Sequence, residues 1–263
     1  MNTEDYRLLA EAKYKEIEEK YGLAVYGSRN HKDFKMVFAR GRKADNENLM
    51  PTKDRFGYPA SQDCNKLGRA NYPKHPVMYT GESVKVIGSE LGLKEDDWMH
   101  LAIYHTPDPI KFEYLLLLHD DINKKNKWHK ILNEFKQFMK ERHPTSHPES
   151  PEKVWQRIQS AAMAFRNNNY EETAAIAYHW LYARNIDAVL YPSLSSNDYC
   201  NFALNPNFVD NNLRLYRVHV CRWKGENIEL HHTGYLESNS MVWRTTSRDD
   251  FNEFESGYSN LES

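Results

Sequence analysis

Apolar residues recur along this chain with two different spacings, which divides it into helical and extended segments. Helices are predicted where apolar residues return every three or four positions, over residues 3–21, 82–91, 120–142, 152–167 and 170–184. Strands are predicted where apolar residues form short runs or alternate with polar ones, over residues 36–40, 77–79, 98–104, 188–191, 213–223 and 228–236. The apolar run at 112–118 fits either a buried strand or a buried helical segment.

Two of these helices have recognisable ends. The N-terminal helix is predicted to end at Gly22, and its apolar stripe consists of Leu8, Leu9, Ala12 and Ile17. The helix at 82–91 is predicted to start from a capping hydroxyl and to stop at a glycine; the two candidate caps and the stop are Thr80, Ser83 and Gly92. Gly88 inside this helix weakens it by about 1 kcal/mol relative to alanine.

The order of these elements predicts an α+β fold, and neither an internal repeat nor a clean boundary divides the chain. Residues 45–65 are irregular, 143–151 form a proline-broken loop, and the last dozen or so residues are expected to fray. We therefore expect one domain over residues 1–263, with an N-terminal helix at 3–21, a motif core at about 36–220, an insertion at about 120–151, and C-terminal strands and tail at 213–263.

Composition narrows the class of protein. The chain of 263 residues carries 35 basic and 37 acidic side chains, so its net charge of -2 gives no general attraction to nucleic acid or membranes. Its three cysteines have no paired spacing, which suits a reducing compartment. No apolar run approaches the roughly 20 residues of a membrane helix. The sequence therefore predicts a soluble, cytoplasmic protein.

Common catalytic and metal motifs are missing from the sequence. It contains neither a glycine-rich phosphate loop nor a Gly-x-Ser-x-Gly nucleophile motif. His143 and His147 are four residues apart, but the proline after each prevents the helix that such zinc spacing needs. His231 and His232 point to opposite faces of a predicted strand. We expect no metal site.

Several separated segments place polar or charged side chains beside apolar strands, which is where folds carry site residues. They are Phe-Ala-Arg-Gly-Arg at 38–42, Gly-Arg-Ala-Asn at 68–71, Pro-Val-Met-Tyr-Thr at 76–80, Tyr-Pro-Ser at 191–193 and Asn-Phe-Ala-Leu at 201–204. Glu90 follows Tyr79 by eleven residues. Over roughly Met36 to Val220, apart from the insertion, this order and spacing resembles the RES domain family, which is named for its Arg, Glu and Ser residues.

The resemblance implies a compact fold related to ADP-ribosyltransferases, with NAD+ as the substrate. Characterised members are toxins of toxin–antitoxin pairs, which degrade NAD+ by hydrolysis or phosphorolysis or transfer ADP-ribose to a protein. Their usual partner is an Xre-like antitoxin that occludes the active site. The resemblance to the family assigns these residues to the site: Arg40, Arg42, Arg69, Asn71, Tyr79, Glu90, Ser193 and Asn201. Arg40 is the best match for the first family arginine, and Arg42 stays open as the alternative.

The chemistry of NAD+ cleavage suits these side chains. Arg40 and Arg69 match the two phosphates, because a guanidinium binds phosphate oxygens through two parallel hydrogen bonds. Glu90 stabilises the positive charge that develops on the ribose, and the leaving nicotinamide is neutral and needs no general acid. Tyr79 stacks on nicotinamide or binds the ribose, and Ser193 donates to a phosphate or ribose oxygen.

Each assignment also has a purely structural alternative. Arg40 could be a charged residue of an edge strand, and Arg69 could brace its loop by binding backbone carbonyls. Glu90 could be a solvated residue on the exposed face of a helix. Tyr79 suits a core aromatic residue, and Ser193 suits a turn. Three functions therefore remain open: an enzyme that consumes NAD+, an ADP-ribosyltransferase that modifies a protein, and a non-catalytic nucleotide-binding module. The acceptor, the antitoxin, the role of the insertion and the oligomeric state are not fixed by the sequence.

Overall fold

The computed structural model describes residues 2–21, 27–31, 36–44, 52–142, 149–167, 169–225 and 227–248. Its helices are α1 (Thr3–Tyr21), α2 (Val84–Glu90), α3 (Trp128–Arg142), α4 (Pro151–Arg166), α5 (Tyr170–Tyr178) and α6 (Pro206–Asn212). Its strands are β1 (Gly27–His31), β2 (Val37–Ala44), β3 (Met78–Gly81), β4 (Trp98–His105), β5 (Ile110–Leu116), β6 (Ala188–Pro192), β7 (Cys200–Leu204), β8 (Arg214–Lys224), β9 (Asn227–Glu237) and β10 (Ser240–Thr245). A 3₁₀ turn covers Lys53–Arg55, and a π-helical turn at His179–Ala183 continues α5.

The chain divides into two compact units. Unit 1 consists of Met1–Arg29, Ala60–Val77 and Glu113–Asn205, and unit 2 consists of Asn30–Pro59, Met78–Phe112 and Pro206–Ser263. The single domain over residues 1–263 stays a prediction. The α+β class is confirmed, because unit 1 combines helices with a mixed sheet and unit 2 is mainly an antiparallel sheet.

Unit 1 is built on strands with no exposed side. β5 pairs parallel with β6, with Tyr114 opposite Ala188, and β6 pairs antiparallel with β7. All five residues of β6 and all five of β7 are buried. Such strands read as continuous apolar runs because both of their faces are covered. The run at 112–118, which fitted a strand or a helix, contains most of strand β5.

The buried face of α1 differs from the prediction. Leu8 and Leu9 are 53% and 49% exposed, and Ala12 is exposed as well. The buried residues of α1 lie at helical spacing; they are Ala10, Tyr14 and Ile17. The ring of Tyr14 stacks at 3.6 Å on His179 in the π-helical turn, so an aromatic contact selects the buried face.

The segment predicted as an insertion contributes to the core of unit 1. Trp128, at the start of α3, packs edge-on against Tyr114 at 5.7 Å and Phe202 at 5.8 Å. Asn126 donates from Nδ2 to the carbonyl of Asn197 at 3.2 Å. These contacts tie the start of the segment to β5 and β7.

Unit 2 contains an antiparallel sheet in the order β3-β2-β4-β8-β9-β10. Helix α2 packs on one of its faces through a cluster of buried apolar residues: Ala39, Ile87, Met99, Leu101, Ile103 and Cys221. Ser83 caps α2 by accepting from the backbone N–H of Val86 at 3.2 Å, and Gly92 follows the helix with φ +62°. Of the two predicted caps, Ser83 is therefore the one used.

Two glycines allow α2 to lie this close to the sheet. A Cβ atom on Gly41 would stand 2.1 Å from Cγ2 of Ile87, and one on Gly88 would stand 2.4 Å from the ring of Trp223. Real Cβ atoms do not approach so closely, so both positions need glycine. Tertiary packing therefore explains a glycine that helix propensity alone disfavours.

Most predicted elements are confirmed, with boundaries that differ by a few residues, but the helix predicted over 120–142 begins only at Trp128. Strand β1 was not predicted because it contains no apolar residue. Strand β7, helix α6 and strand β10 were not predicted either, because Pro206 and the short polar turns around them hide their periodicity. Gly22, residues 45–51 and 143–148, and the tail after residue 248 lie outside the described residues.

Candidate functional site

The predicted site residues fall into two groups. Unit 2 contains Arg40, Arg42, Tyr79 and Glu90, and unit 1 contains Arg69, Asn71, Ser193 and Asn201. Each group is held by its own strands and loops.

Strand β2 explains the Phe-Ala-Arg-Gly-Arg segment. Side chains alternate across a strand, so Ala39 and Gly41 face α2 while Arg40 and Arg42 lie on the opposite face of the sheet. Two residues along a strand span roughly 6.6 Å. The alternation therefore places two arginines side by side on one face.

Neither arginine is paired with a carboxylate from the described residues. Arg40 donates from Nη1 to the carbonyl of Tyr79 at 3.0 Å, and Arg42 donates from Nη2 to the carbonyl of Gly57 at 3.1 Å. The Nε atom of each guanidinium is buried and finds no hydrogen-bond partner among the described residues. Over the same residues no carboxylate contributes to the electrostatic surroundings of either side chain.

The electrostatics of the pair follow from burial and like charge. Burial lowers the pKa of Arg40 to about 10, and the charge of Arg42 acts in the same direction. Burial also lowers the pKa of Arg42, and the nearby charge of Arg55 adds to this effect. A buried group of like charges is costly unless an anion accompanies it. The arrangement therefore makes the two arginines a candidate anion site.

Tyr104 belongs to this site, although it was not among the predicted residues. It lies on β4, is 6% exposed, and affects both arginines electrostatically. Burial raises the pKa of Tyr104 to about 12, although Arg40 and Arg42 both act to lower it. The sequence shows an aromatic residue at the end of a predicted strand. Only the pairing of β2 with β4 links this residue to the arginines.

Tyr79 and Glu90 lie on neighbouring elements of unit 2. Tyr79 is half-buried in β3, and its carbonyl holds Arg40. Glu90 is the last residue of α2 and is exposed. Another acidic residue, Glu82, lies just before α2 and is only 5% exposed. Because α2 packs on the face of the sheet opposite Arg40 and Arg42, the structure does not bring the exposed carboxylate of Glu90 together with the arginine pair.

Arg69 links two motif segments within unit 1. It donates from Nε to the carbonyl of Phe165 at 2.8 Å and from Nη2 to the carbonyl of Pro192 at 2.9 Å. Its guanidinium also lies 4.7 Å from the ring centroid of Tyr191. These contacts correspond to the bracing alternative, because they fix the Gly-Arg-Ala-Asn loop against the Tyr-Pro-Ser segment. A direct contact of Arg69 with phosphate stays a prediction.

Ser193 occupies the turn directly after β6. It is 2% exposed, and its Oγ lies 2.9 Å from Oγ of Ser195. The same oxygen accepts from the backbone N–H of Ser195 at 3.1 Å. A serine that accepts from the backbone two residues later forms a compact turn. The turn fixes the direction of its hydroxyl.

The two asparagines of unit 1 are buried. Asn71 donates from Nδ2 to the carbonyls of Lys66 at 3.1 Å and Tyr72 at 3.3 Å, which shapes the loop around Arg69. Asn201 lies on β7 directly opposite Tyr191. Both residues therefore lie within or beside the segments that Arg69 joins.

Across the described residues, no group of three His, Cys, Asp or Glu side chains is arranged to hold a metal ion. Of the helices in that part of the chain, none is both long and apolar enough to span a bilayer.

Comparison with known proteins adds the family. No curated protein matches the sequence. Among solved structures, the crystal structure of the M. tuberculosis MbcT–MbcA toxin–antitoxin complex is similar, with 11% sequence identity, a TM-score of 0.40, and coverage of 97% of this chain and 98% of that chain. A TM-score this low supports no conclusion about fold or function.

The RES domain model matches residues 42–224. The matched range contains Arg42, Arg69, Tyr79, Glu90 and Ser193 and begins after Arg40. It agrees with the resemblance drawn from the motifs and covers more than half of the 263 residues. The chain belongs to the RES domain family, which supports an NAD-related function of the toxin type.

Proposed function

We propose that this protein consumes NAD+ by cleaving the bond between nicotinamide and ribose, with water or phosphate as the acceptor. Membership of the RES domain family supports a function related to NAD. The observation that carries the proposal is the pair of arginines, Arg40 and Arg42, which lies on one face of the sheet without a neighbouring carboxylate among the described residues.

The diphosphate of a dinucleotide supplies negative charge beside Arg40 and Arg42. NAD+ contains a diphosphate with one negative charge on each phosphate, and a guanidinium binds phosphate oxygens through a planar fork of N–H groups. Binding places two negative charges beside Arg40 and Arg42 and relieves their mutual repulsion. In this proposal both arginines of the segment contribute, which removes the choice between them.

Bond cleavage then proceeds through a ribosyl cation. The bond from ribose C1′ to the nicotinamide nitrogen breaks, its electron pair stays with nicotinamide, and the ribose becomes oxocarbenium-like. The family resemblance assigns the stabilisation of this cation to the carboxylate of Glu90, which is exposed at the end of α2. An oxygen of water or phosphate bonds to C1′, and the acceptor releases its proton to solvent. The products are nicotinamide and ADP-ribose or its phosphate ester.

The other residues of the site have supporting roles in this proposal. Tyr79 stacks on nicotinamide or binds the ribose, and Ser193 donates a hydrogen bond to NAD+. Arg69 holds the Tyr-Pro-Ser turn in place, since its N–H groups already bind the carbonyls of Phe165 and Pro192. The buried asparagines, Asn71 and Asn201, maintain the loop and the strand beside it.

Partner and location are proposed on the family resemblance and on the thiols. An antitoxin of the Xre-like type that occludes the site is the proposed partner. Cys64, Cys200 and Cys221 are buried thiols, and none is joined in a disulfide bond within the described residues. Free thiols persist in a reducing compartment, so we propose a cytoplasmic location.

The experiment that tests the reaction measures nicotinamide released from NAD+ by the purified protein, with and without phosphate. We expect Glu90→Gln to lower the rate by about 10²–10³, the typical effect of removing one group that stabilises transition-state charge. Glu95→Gln is the matched control, because Glu95 is also exposed and follows α2 by a few residues. We expect it to retain the wild-type rate.

The other candidate functions are distinguishable outcomes. A labelled protein band from lysate and labelled NAD+ would indicate a protein acceptor. Saturable NAD+ binding without nicotinamide release would indicate a binding module. Either result, or a Glu90→Gln variant with full activity, would contradict the proposed reaction.

A further inference from the structure

The loop that joins β6 to β7 begins at Ser193 and is closed at its base. There the backbone N–H of Ser193 donates to the carbonyl of Tyr199 at 3.3 Å. The position before Ser193 is held as well, because Arg69 donates to the carbonyl of Pro192 at 2.9 Å. Within the loop, Oγ of Ser193 accepts from the backbone N–H of Ser195 at 3.1 Å. The direction of the Ser193 hydroxyl therefore follows the position of the loop.

The far side of the loop is held at Asn197 by the segment predicted as an insertion. The backbone carbonyl of Asn197 accepts from the backbone N–H of Asn123 at 3.2 Å and from Nδ2 of Asn126 at 3.2 Å. Asn126 is 2% exposed, and its Oδ1 accepts the backbone N–H of Trp128 at 2.9 Å, so it is itself fixed to the start of α3. The insertion therefore supports the loop that carries Ser193.

Arg166, the last residue of α4, joins the same two segments through its side chain. Its Nη1 donates to a carboxylate oxygen of Asp121, and its Nη2 donates to the side-chain oxygen of Asn197. A guanidinium serves both partners at once because its N–H groups form a planar fork. The residue before it supplies the other carbonyl that Arg69 binds. The end of α4 therefore fixes the chain on both sides of Ser193.

Solvent reaches this group of side chains, which limits its contribution to stability. The side chains of Arg166 and Asp121 are 18% and 48% exposed, and Asn197 is exposed. An ion pair that solvent reaches adds little to the free energy of unfolding. Surface loops are more mobile than the elements that they connect, so a few contacts decide where such a loop lies. The fork of Arg166 therefore acts mainly on the position of the loop.

We propose that Arg166 is a positioning residue, which holds the loop from Ser193 to Tyr199 so that the hydroxyl of Ser193 meets NAD+. This role rests on the proposed function, because it concerns how the same site binds its substrate. Arg166 acts through Asn197 and the loop, and the bond to NAD+ is made by Ser193. Loss of the fork therefore weakens binding only while the hydroxyl of Ser193 is present.

The test variant is Arg166→Lys, because lysine keeps the positive charge beside Asp121 but has no planar fork for a second partner. We expect its KM for NAD+ to rise roughly 2–30-fold, the range for a change that acts through a network of contacts, and its kcat to be retained. The Kd for ADP-ribose, measured by titration calorimetry, should rise by a similar factor. The urea midpoint should stay close to that of the wild type.

A double-mutant cycle and a matched control separate positioning from other effects. In a Ser193→Ala background, Arg166→Lys should change neither KM nor Kd any further, because the hydroxyl that it positions is gone. The control is Arg157→Lys. Arg157 also lies on α4 and donates to one carboxylate, that of Glu149, but it lies roughly 14 Å from Arg166 along the helix axis. We expect this variant to keep the wild-type KM and Kd.

An unchanged KM in Arg166→Lys would overturn the positioning role, as would an equal rise in Arg157→Lys or a rise that persists in the Ser193→Ala background. The proposed reaction fails separately. If NAD+ is cleaved and Arg166→Lys behaves like the wild type, the reaction stands and the positioning role is wrong. If NAD+ is not cleaved but the Kd for ADP-ribose shows coupling between Arg166 and Ser193, the positioning role stands and the reaction is wrong.

Discussion

Replacing Arg40 by methionine is expected to stabilise the ligand-free protein while removing its function. Methionine keeps most of the length and apolar contact of the arginine stem but carries no charge. In the folded protein Arg40 lies beside Arg42, and burial lowers its pKa to about 10, well below its usual value. A base with a lowered pKa destabilises the folded state at every pH below that value, and the penalty disappears only as pH rises above about 10 towards the pKa of the unfolded chain.

The magnitude follows from the lowered pKa. Each pKa unit corresponds to about 1.4 kcal/mol, so the charged form of Arg40 costs on the order of 3 kcal/mol at neutral pH. Arg40 is half-buried, so solvent screens part of this cost. The hydrogen bond from Arg40 to the carbonyl of Tyr79 is lost, which costs about 1 kcal/mol. We expect a net gain of about 1–2 kcal/mol in the free energy of unfolding.

Urea denaturation near neutral pH, with and without ADP, measures this effect. The control is Arg214→Met, because Arg214 is exposed on β8 and its change should stay within about 0.5 kcal/mol. ADP should stabilise the wild type by about 2.7 kcal/mol at 100 times its Kd and should stabilise Arg40→Met far less. An Arg40→Met variant that is less stable than wild type, or that ADP stabilises equally, would refute the argument about the arginine pair.

Further predictions concern packing, pH and the brace in unit 1. Gly41→Ala should lower the free energy of unfolding by about 1–3 kcal/mol in urea, because its Cβ would meet Ile87 at 2.1 Å. Burial lowers the pKa of His179 to about 4 from 6.5, so the stability it contributes is present above pH 6.5 and is lost as pH falls towards 4. His179→Phe keeps a ring against Tyr14, and its thermal midpoint should fall less over that range than the wild-type midpoint. Arg69→Lys should lower the urea midpoint, because lysine cannot replace the fork that binds two carbonyls.

Parts of the fold and of the site could be predicted from the sequence because they depend on neighbouring residues only. The amphipathic helices and alternating strands gave the α+β class, and the hydroxyls before an apolar repeat gave two candidate caps for α2, of which the structure uses Ser83. The ordered motifs gave the family, because several weak matches in one sequence rarely coincide. The side-by-side placement of Arg40 and Arg42 follows directly from the alternation of a strand.

The features that the sequence did not predict depend on contacts between segments that are far apart in the chain. The sequence does not show that β2 pairs with β4, so Tyr104 could not be assigned to the arginine pair. The predicted apolar stripe of α1 was right at Ile17 but wrong at Leu8 and Leu9, which are exposed because a stack on His179 fixes a different face. From the sequence, Gly88 only lowers the helix propensity of α2. The structure shows that the ring of Trp223 packs against it, so the position needs glycine.

The central claim is that this protein cleaves NAD+ at a site built on a pair of arginines that have no neighbouring carboxylate among the described residues. The most direct test is the time course of nicotinamide release from NAD+ by the purified wild-type protein, with the Glu90→Gln variant measured in parallel. The account predicts steady release by the wild type and a rate lower by orders of magnitude in the variant. A folded wild-type protein, free of any partner, that binds ADP but leaves NAD+ intact would contradict it.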